Sequence, residues 1–263
     1  MPEHTSFLTY LLARLPGLRE NAHALGGPIL PPGDHPVQYR ALEPIFGSLL
    51  VILFVIYLAA GVRGEFRHLK SSVVPDDTLT TRTFFEAFAG YFYTMARDVM
   101  GPKSAKRYFP LIGGAALFIF FSNCMAMLPG LNPPTANLNV TFGCAIFVFI
   151  AFNYWGVKEN GWGYLAHLAG PKWYLAPLVF PIEVISTCVR PITLSIRLMM
   201  NMAVDHLVGS IFLGLVAVLI PIPLMFLGII VILVQTLVFC LLTSIYIGLA
   251  TEHADHGEHA EAH

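Results

Sequence analysis

From Leu175 to Ala250 the chain is almost continuously apolar, and this run constrains the fold more than any other feature. Its only strongly ionisable residues are Glu183, Arg190, Arg197, Asp205 and His206. A hydrocarbon core about 30 Å thick takes about 20 apolar residues at about 1.5 Å per residue. Pro221 and Pro223 divide the run, because proline lacks the helix donor and clashes with the preceding turn. The two parts, 175–219 and 223–250, would be roughly 67 and 42 Å long as helices. The first must tilt steeply, kink at Pro191 or lie partly along the membrane plane.

Only 12% of the 263 residues are charged and 56% are hydrophobic, against about 25% charged in an ordinary soluble domain. That deficit excludes most soluble folds. Fifteen basic against sixteen acidic residues leave a net charge of -1, which points to neither nucleic acid nor an acidic substrate. Residues 1–44 are turn-rich and lack the compact apolar stretch of a signal peptide. A single membrane domain is expected over 45–250. Its elements are a span at 45–62, an amphipathic helix at 83–100, spans at 108–128 and 138–157, and the two long helices. At 83–100 the apolar Phe84, Phe85, Phe88, Tyr91, Phe92 and Met95 recur near helical spacing, with Glu86, Arg97 and Asp98 off that stripe. This helix is expected on a surface. The predicted fold is therefore an all-α integral membrane protein of about five embedded helices, the last two long, tilted and paired as a hairpin.

Basic residues mark the cytoplasmic side of a membrane protein. Eight of the fifteen lie between Arg63 and Arg107, Lys158 and Lys172 flank the loop containing Trp162 and His167, and the turn from Leu128 to Leu138 has none. This puts the N-terminal segment outside and the tail 251–263 inside.

Ionisable groups inside a bilayer cost about 2.5–3.5 kcal/mol each on insertion scales, so they should face protein or water. Glu183, Arg190 and Arg197 recur every seven residues, and Asn201 and Asp205 extend the same helical stripe. Such a row could line a polar path with a fixed positive charge in its middle, for which arginine suits because it stays protonated when desolvated. The plainer reading of Arg190 is a structural ion pair with Glu183, or snorkelling from a helix end. His206 adjoins Asp205 but points to another face, and a packing role is its plainer reading. The four cysteines lie in apolar segments without metal-ligand spacing and read as small hydrophobes. His253, His256, His259 and His263 could share a helical face, but the intervening acids and missing apolar residues favour a solvated, disordered tail. No metal or cofactor is expected.

The stretch PIEVISTCVRPITLSIRLMMNMAVDHL, Pro181 to Leu207, resembles the signature helix of subunit a of F-type ATP synthases. Val234 to His253, VQTLVFCLLTSIYIGLATEH, is similar to that family's last helix, and Phe120 to Thr141, FFSNCMAMLPGLNPPTANLNVT, to its first hairpin. The resemblance implies the stationary, proton-translocating half of a rotary motor in a bacterial inner membrane. Two offset half-channels would serve a ring of c subunits, with b-type peripheral stalk subunits and, indirectly, the F1 sector as further partners. Arg197 matches the family's essential arginine, which separates the half-channels. Asn201 and Gln235 match polar positions near it, Asp205 an outer-side channel position, and Glu183 and Ser186 positions near the inner-side channel. Seven residues before Gln235 stands Gly228, where many relatives have His or Glu; water or His206 would have to fill that role.

A secondary ion transporter or channel with a mid-membrane charged site is the alternative, but it usually shows two related halves, and no repeat is evident. Haem ligation needs paired axial ligands, and the long apolar segments hold only His206. No HExxH, GxSxG or phosphate-cradling glycine motif is present. Nucleotide chemistry would then belong to other subunits.

Overall fold

The computed structural model describes residues 43–65, 81–128, 131–160, 176–215 and 221–260. They form six α-helices: α1 (Glu43–Glu65), α2 (Thr81–Met100), α3 (Pro102–Cys124), α4 (Leu138–Asn160), α5 (Ala176–Leu215) and α6 (Pro221–Ala260). Short 3₁₀ turns at Met125–Met127 and Pro134–Ala136 join α3 to α4. Five of the helices contain stretches long and apolar enough to cross a membrane, namely Glu43–Val62, Pro102–Met127, Leu138–Lys158, Val179–Gly209 and Pro223–Ala250. The amphipathic α2 is not among them. The protein is an all-α integral membrane protein. A helix suits such an environment because it satisfies its backbone donors and acceptors internally where there is no water to do so.

Several boundaries differ from those expected from composition. α3 begins at Pro102 rather than near 108. Gly101 adopts a φ of 81°, a left-handed conformation that suits glycine, and its N–H donates to Arg97 O at 2.9 Å. The chain turns at once, and Pro102 at the first helical position needs no donor. Lys103, Lys106 and Arg107 are thus helical rather than in a loop. α5 runs unbroken through Pro181 and Pro191 for 40 residues. α6 also has 40 residues and continues past Ala250 to Ala260. The expected disordered tail is helical in its backbone there, consistent with the helix-favouring Ala and Glu it contains. The expectations for residues 1–42, for the loop containing Trp162 and His167, and for His263 lie outside the described residues.

The described residues divide into two compact units. The first draws on the described residues within 43–88, 117–141 and 198–236. Here α1 packs against the Pro134–Ala136 turn so closely that a Cβ on Gly47 would stand 3.3 Å from Pro134 Cγ. Asn132 Nδ2 donates to Glu43 Oε1 at 3.1 Å, and Thr135 Oγ1 donates to Asn123 Oδ1 at 2.7 Å with both side chains buried. Asn137 caps α4, its Oδ1 accepting the Asn139 N–H at 2.9 Å. Phe120 lies against Phe84 and Phe88, with centroids 6.1 and 5.2 Å away, and Phe121 meets Phe54 edge-on at 5.5 Å.

The second unit draws on the described residues within 89–116, 142–197 and 237–260. Small buried residues on α3, Ala105 and Ala116, alternate with Tyr108 and Ile112 along one face. Tyr108 packs on Trp155 of α4 at 4.7 Å, and Ile112 O accepts a long contact from Cys240 Sγ of α6 at 3.9 Å. The four cysteines are free thiols. Hydroxyls on α6 bond back to their own helix, Thr243 to Phe239 O at 2.9 Å and Ser244 to Cys240 O at 2.8 Å.

The buried Thr135–Asn123 bond gives a direct test of the first unit. Thr135→Val preserves shape but leaves Asn123 Oδ1 without its donor, which should cost about 1–3 kcal/mol. A lowered thermal unfolding midpoint of the purified protein, absent in the exposed Thr94→Val control, is the expected result.

Candidate functional site

The residues singled out above are carried by α5 and α6. α5 has two sides. Leu194, Ser195, Leu198 and Met202 are buried, whereas Ile192, Ile196, Met200 and Val204 are 41–49% exposed. Arg197 and Asn201 share that exposed side. Within the apolar stretch Val179–Gly209, Arg197 lies about 27 Å along the helix from one end and about 18 Å from the other. Among the described residues, no acid lies within ion-pairing distance of Arg197.

In the first unit a cavity of about 500 Å³ opens between α5 and α6. Met200, Asn201, Val204 and Asp205 line one side, and Ile230, Val231, Val234 and Gln235 the other. Asn201 Nδ2 donates to Gln235 Oε1 at 2.6 Å, so the two amides the sequence singled out meet directly. Gln235 is itself buried. Asp205 is half-buried, and its Oδ2 is shut off without a hydrogen-bond partner among the described residues. The groove thus brings two amides and one half-buried carboxylate to otherwise apolar walls. Water or a mobile proton carrier has polar partners there, as a wet cavity requires.

Gly228 does not line this groove, and a Cβ built on it would meet nothing within 4 Å. The side chain absent there leaves open space. The side chain of His206 lies outside the described ones, although its backbone is part of α5.

In the second unit Glu183 and Arg190 form an ion pair, Oε1 to a guanidinium nitrogen at 3.7 Å, with side chains 40% and 25% exposed. The same guanidinium stands over the Tyr246 ring of α6, 5.1 Å from its centroid. Arg190 therefore takes the structural-pair option, tied to both an acid and an aromatic face. Ser186 is exposed one turn beyond Glu183 on α5. Tyr246 was not singled out from sequence. Its spacing could have revealed it, since it follows Gln235 by eleven residues, three helical turns along the same face. The buried Ser122, Asn123 and Thr135 were also missed as a polar group, because Thr135 comes from the turn after α3 rather than from the helix itself. No cluster of metal-ligating side chains occurs among the described residues.

These features define a multi-pass helical membrane protein with polar groups set along one long helix pair. Comparison with known proteins narrows that class. The family model described as ATP synthase A chain matches residues 45–248. ATP synthase subunit a of Sorangium cellulosum is 72% identical over 256 residues, covering 97% of this chain and all of the relative. ATP synthase subunit a 1 of Syntrophotalea carbinolica is 50% identical over 160 residues, covering 61% of this chain and 68% of the relative. That of Geobacter sulfurreducens is 45% identical over 173 residues, covering 66% and 75%. The chain belongs to the ATP synthase A chain family and has the role of the Fo stator subunit in proton translocation. It is by family a non-catalytic Fo subunit, within a complex of other Fo and F1 subunits.

The direct amide contact can be measured as a coupling. In a double-mutant cycle on Asn201→Ala and Gln235→Ala, the interaction energy read from unfolding should be about 0.5–1.5 kcal/mol. Strict additivity of the two single changes would mean that the amides do not bond in the membrane.

Proposed function

We propose that Arg197 is the fixed positive charge against which a rotating partner exchanges protons, and that the groove lined by Asn201, Asp205 and Gln235 belongs to one of two separate half-channels. The observation that carries this reading is Arg197 itself, exposed near the middle of a membrane-spanning stretch with no acid in reach among the described residues. A charge so placed costs several kcal/mol unless something outside the chain answers it. A carboxylate on each passing c subunit of a ring supplies that answer. The exposed apolar residues flanking Arg197 on α5, Ile196 and Met200, give the ring a surface of its own polarity.

In this mechanism Asn201, Gln235 and Asp205 line the outer-side path, and Glu183 and Ser186 belong to the inner-side path. A ring carboxylate reaching Arg197 has lost its proton, because the nearby cation favours the charged form. The same cation repels a proton trying to pass directly from one path to the other. Each charge moved across 100 mV is worth about 2.3 kcal/mol, so a leak past Arg197 would dissipate the energy that should turn the ring. At the Gly228 position the open space supports water as the bridging group, with His206 as the other candidate. The peripheral stalk would be b-type subunits, with the F1 sector reached indirectly. The site would lie in a bacterial inner membrane, with 1–44 outside and the C-terminal tail inside.

Arg197→Ala should abolish ATP-driven proton pumping and ATP synthesis while the chain remains inserted and assembled. Coupled synthesis at the normal rate in that variant would sink the mechanism. For His206→Ala, a lower turnover or higher passive proton leak in inverted vesicles would place it on the path, and unchanged behaviour would leave water as the bridge.

A further inference from the structure

The corner between α2 and α3 concentrates positive charge where electrostatics within the protein disfavours it. α3 has no acid in its first turn, where the helix dipole favours one, and carries Lys103 there, with Lys106 and Arg107 in the next turn. Residues three and four apart sit side by side on a helix, and like charges at that spacing repel. All three are exposed, because Ala105 and Tyr108 take the buried face. Arg97 adds a fourth cation from the last turn of α2, across the Gly101 turn. Asp98 is the single acid between residues 97 and 107, and it lies 3.5 Å from Arg97 Nε. Among the described residues, no acid is within ion-pairing distance of Lys103 or Lys106.

The depth of the cluster identifies what neutralises it. Pro102 is the first residue of a membrane-spanning stretch. From Lys103 to Arg107 the helix rises about 6 Å, which matches the headgroup layer of about 5–8 Å on each side of the hydrocarbon core. Beside it, Tyr91 and Val99 of α2 are 56% and 37% exposed, an apolar surface of the kind an interfacial helix lays against acyl chains. We propose that Lys103 and Lys106, with Arg97 nearby, form a binding site for the phosphate of an anionic phospholipid, whose chains lie against the exposed side of α2. The lipid replaces the missing first-turn acid, relieves the repulsion between the two lysines and fixes α2 to the bilayer. An acidic protein segment would meet the same charges, but would have to enter the headgroup layer to do so.

The test uses the intact ATP synthase complex in phosphatidylcholine nanodiscs, titrated with a photoreactive phosphatidylglycerol. Labelling of residues 91–107 is read by peptide mass spectrometry. Each basic residue near an anionic surface contributes about a five-fold change in association, so K103Q/K106Q should raise the half-saturating lipid fraction about 25-fold. K103R/K106R keeps the charge and should stay within about two-fold of the parent. Equal labelling of the parent and the glutamine variant would overturn the proposal. So would displacement of the lipid by excess inorganic phosphate, or crosslinking of these lysines to an acidic protein in place of lipid.

Discussion

Every part of this structure answers to the cost of placing polar groups where water is scarce. Backbone groups are answered by helices, and hydroxyls such as Thr236, Thr243 and Ser244 by carbonyls one turn earlier in the same helix. Side-chain amides find partners from elsewhere in the fold: Asn201 meets the Gln235 amide, and Asn123 accepts from the Thr135 hydroxyl. Charges are the hardest to place. Arg190 is answered within the chain by Glu183 and the Tyr246 ring. Arg197 is not so answered among the described residues, and that difference separates a structural cation from one available to another chain.

The helix pair shows how one sequence stretch can serve both purposes. Arg190 and Arg197 stand two turns apart on α5, yet Arg190 is half-buried and Arg197 exposed. The small buried residues of α3 and the aromatic contacts of α4 bring Ile112 and Phe152 to α6 in the second unit. Tyr246 is thereby one turn from a packed, buried Thr243 and faces Arg190. In the first unit the amide pair and Asp205 interrupt an otherwise apolar groove. Polarity there is confined to three side chains, Asn201, Asp205 and Gln235, on an otherwise apolar wall.

Much of this was legible in the sequence because membranes impose long apolar runs and penalise charge. The five apolar spans and the amphipathic α2 outside them follow from length and periodicity, and resemblance directs attention to Arg197, Asn201 and Gln235. What remained hidden was pairwise geometry. Whether Arg190 joined the path or an ion pair depended on Tyr246, a residue 56 positions away whose aromatic ring carries no distinctive sequence signal. The start of α3 was misplaced because basic residues read as loop, whereas a left-handed glycine and a following proline allow the helix to begin among them. The Thr135–Asn123 bond depends on how the hairpin turn closes, which local pattern does not specify.

The back-bonded hydroxyls have a further consequence. A threonine that spends its hydrogen bond on its own helix presents only methyl and methine groups to its neighbours. The face of α6 bearing Thr236, Thr243 and Ser244 therefore behaves toward adjoining helices as a hydrocarbon surface, indifferent to small axial shifts. In the first unit, the Asn201–Gln235 bond is directional and fixes one helix against the other like a detent on a smooth shaft. A single amide contact can thus set register where the back-bonded hydroxyls of the same helix impose almost none.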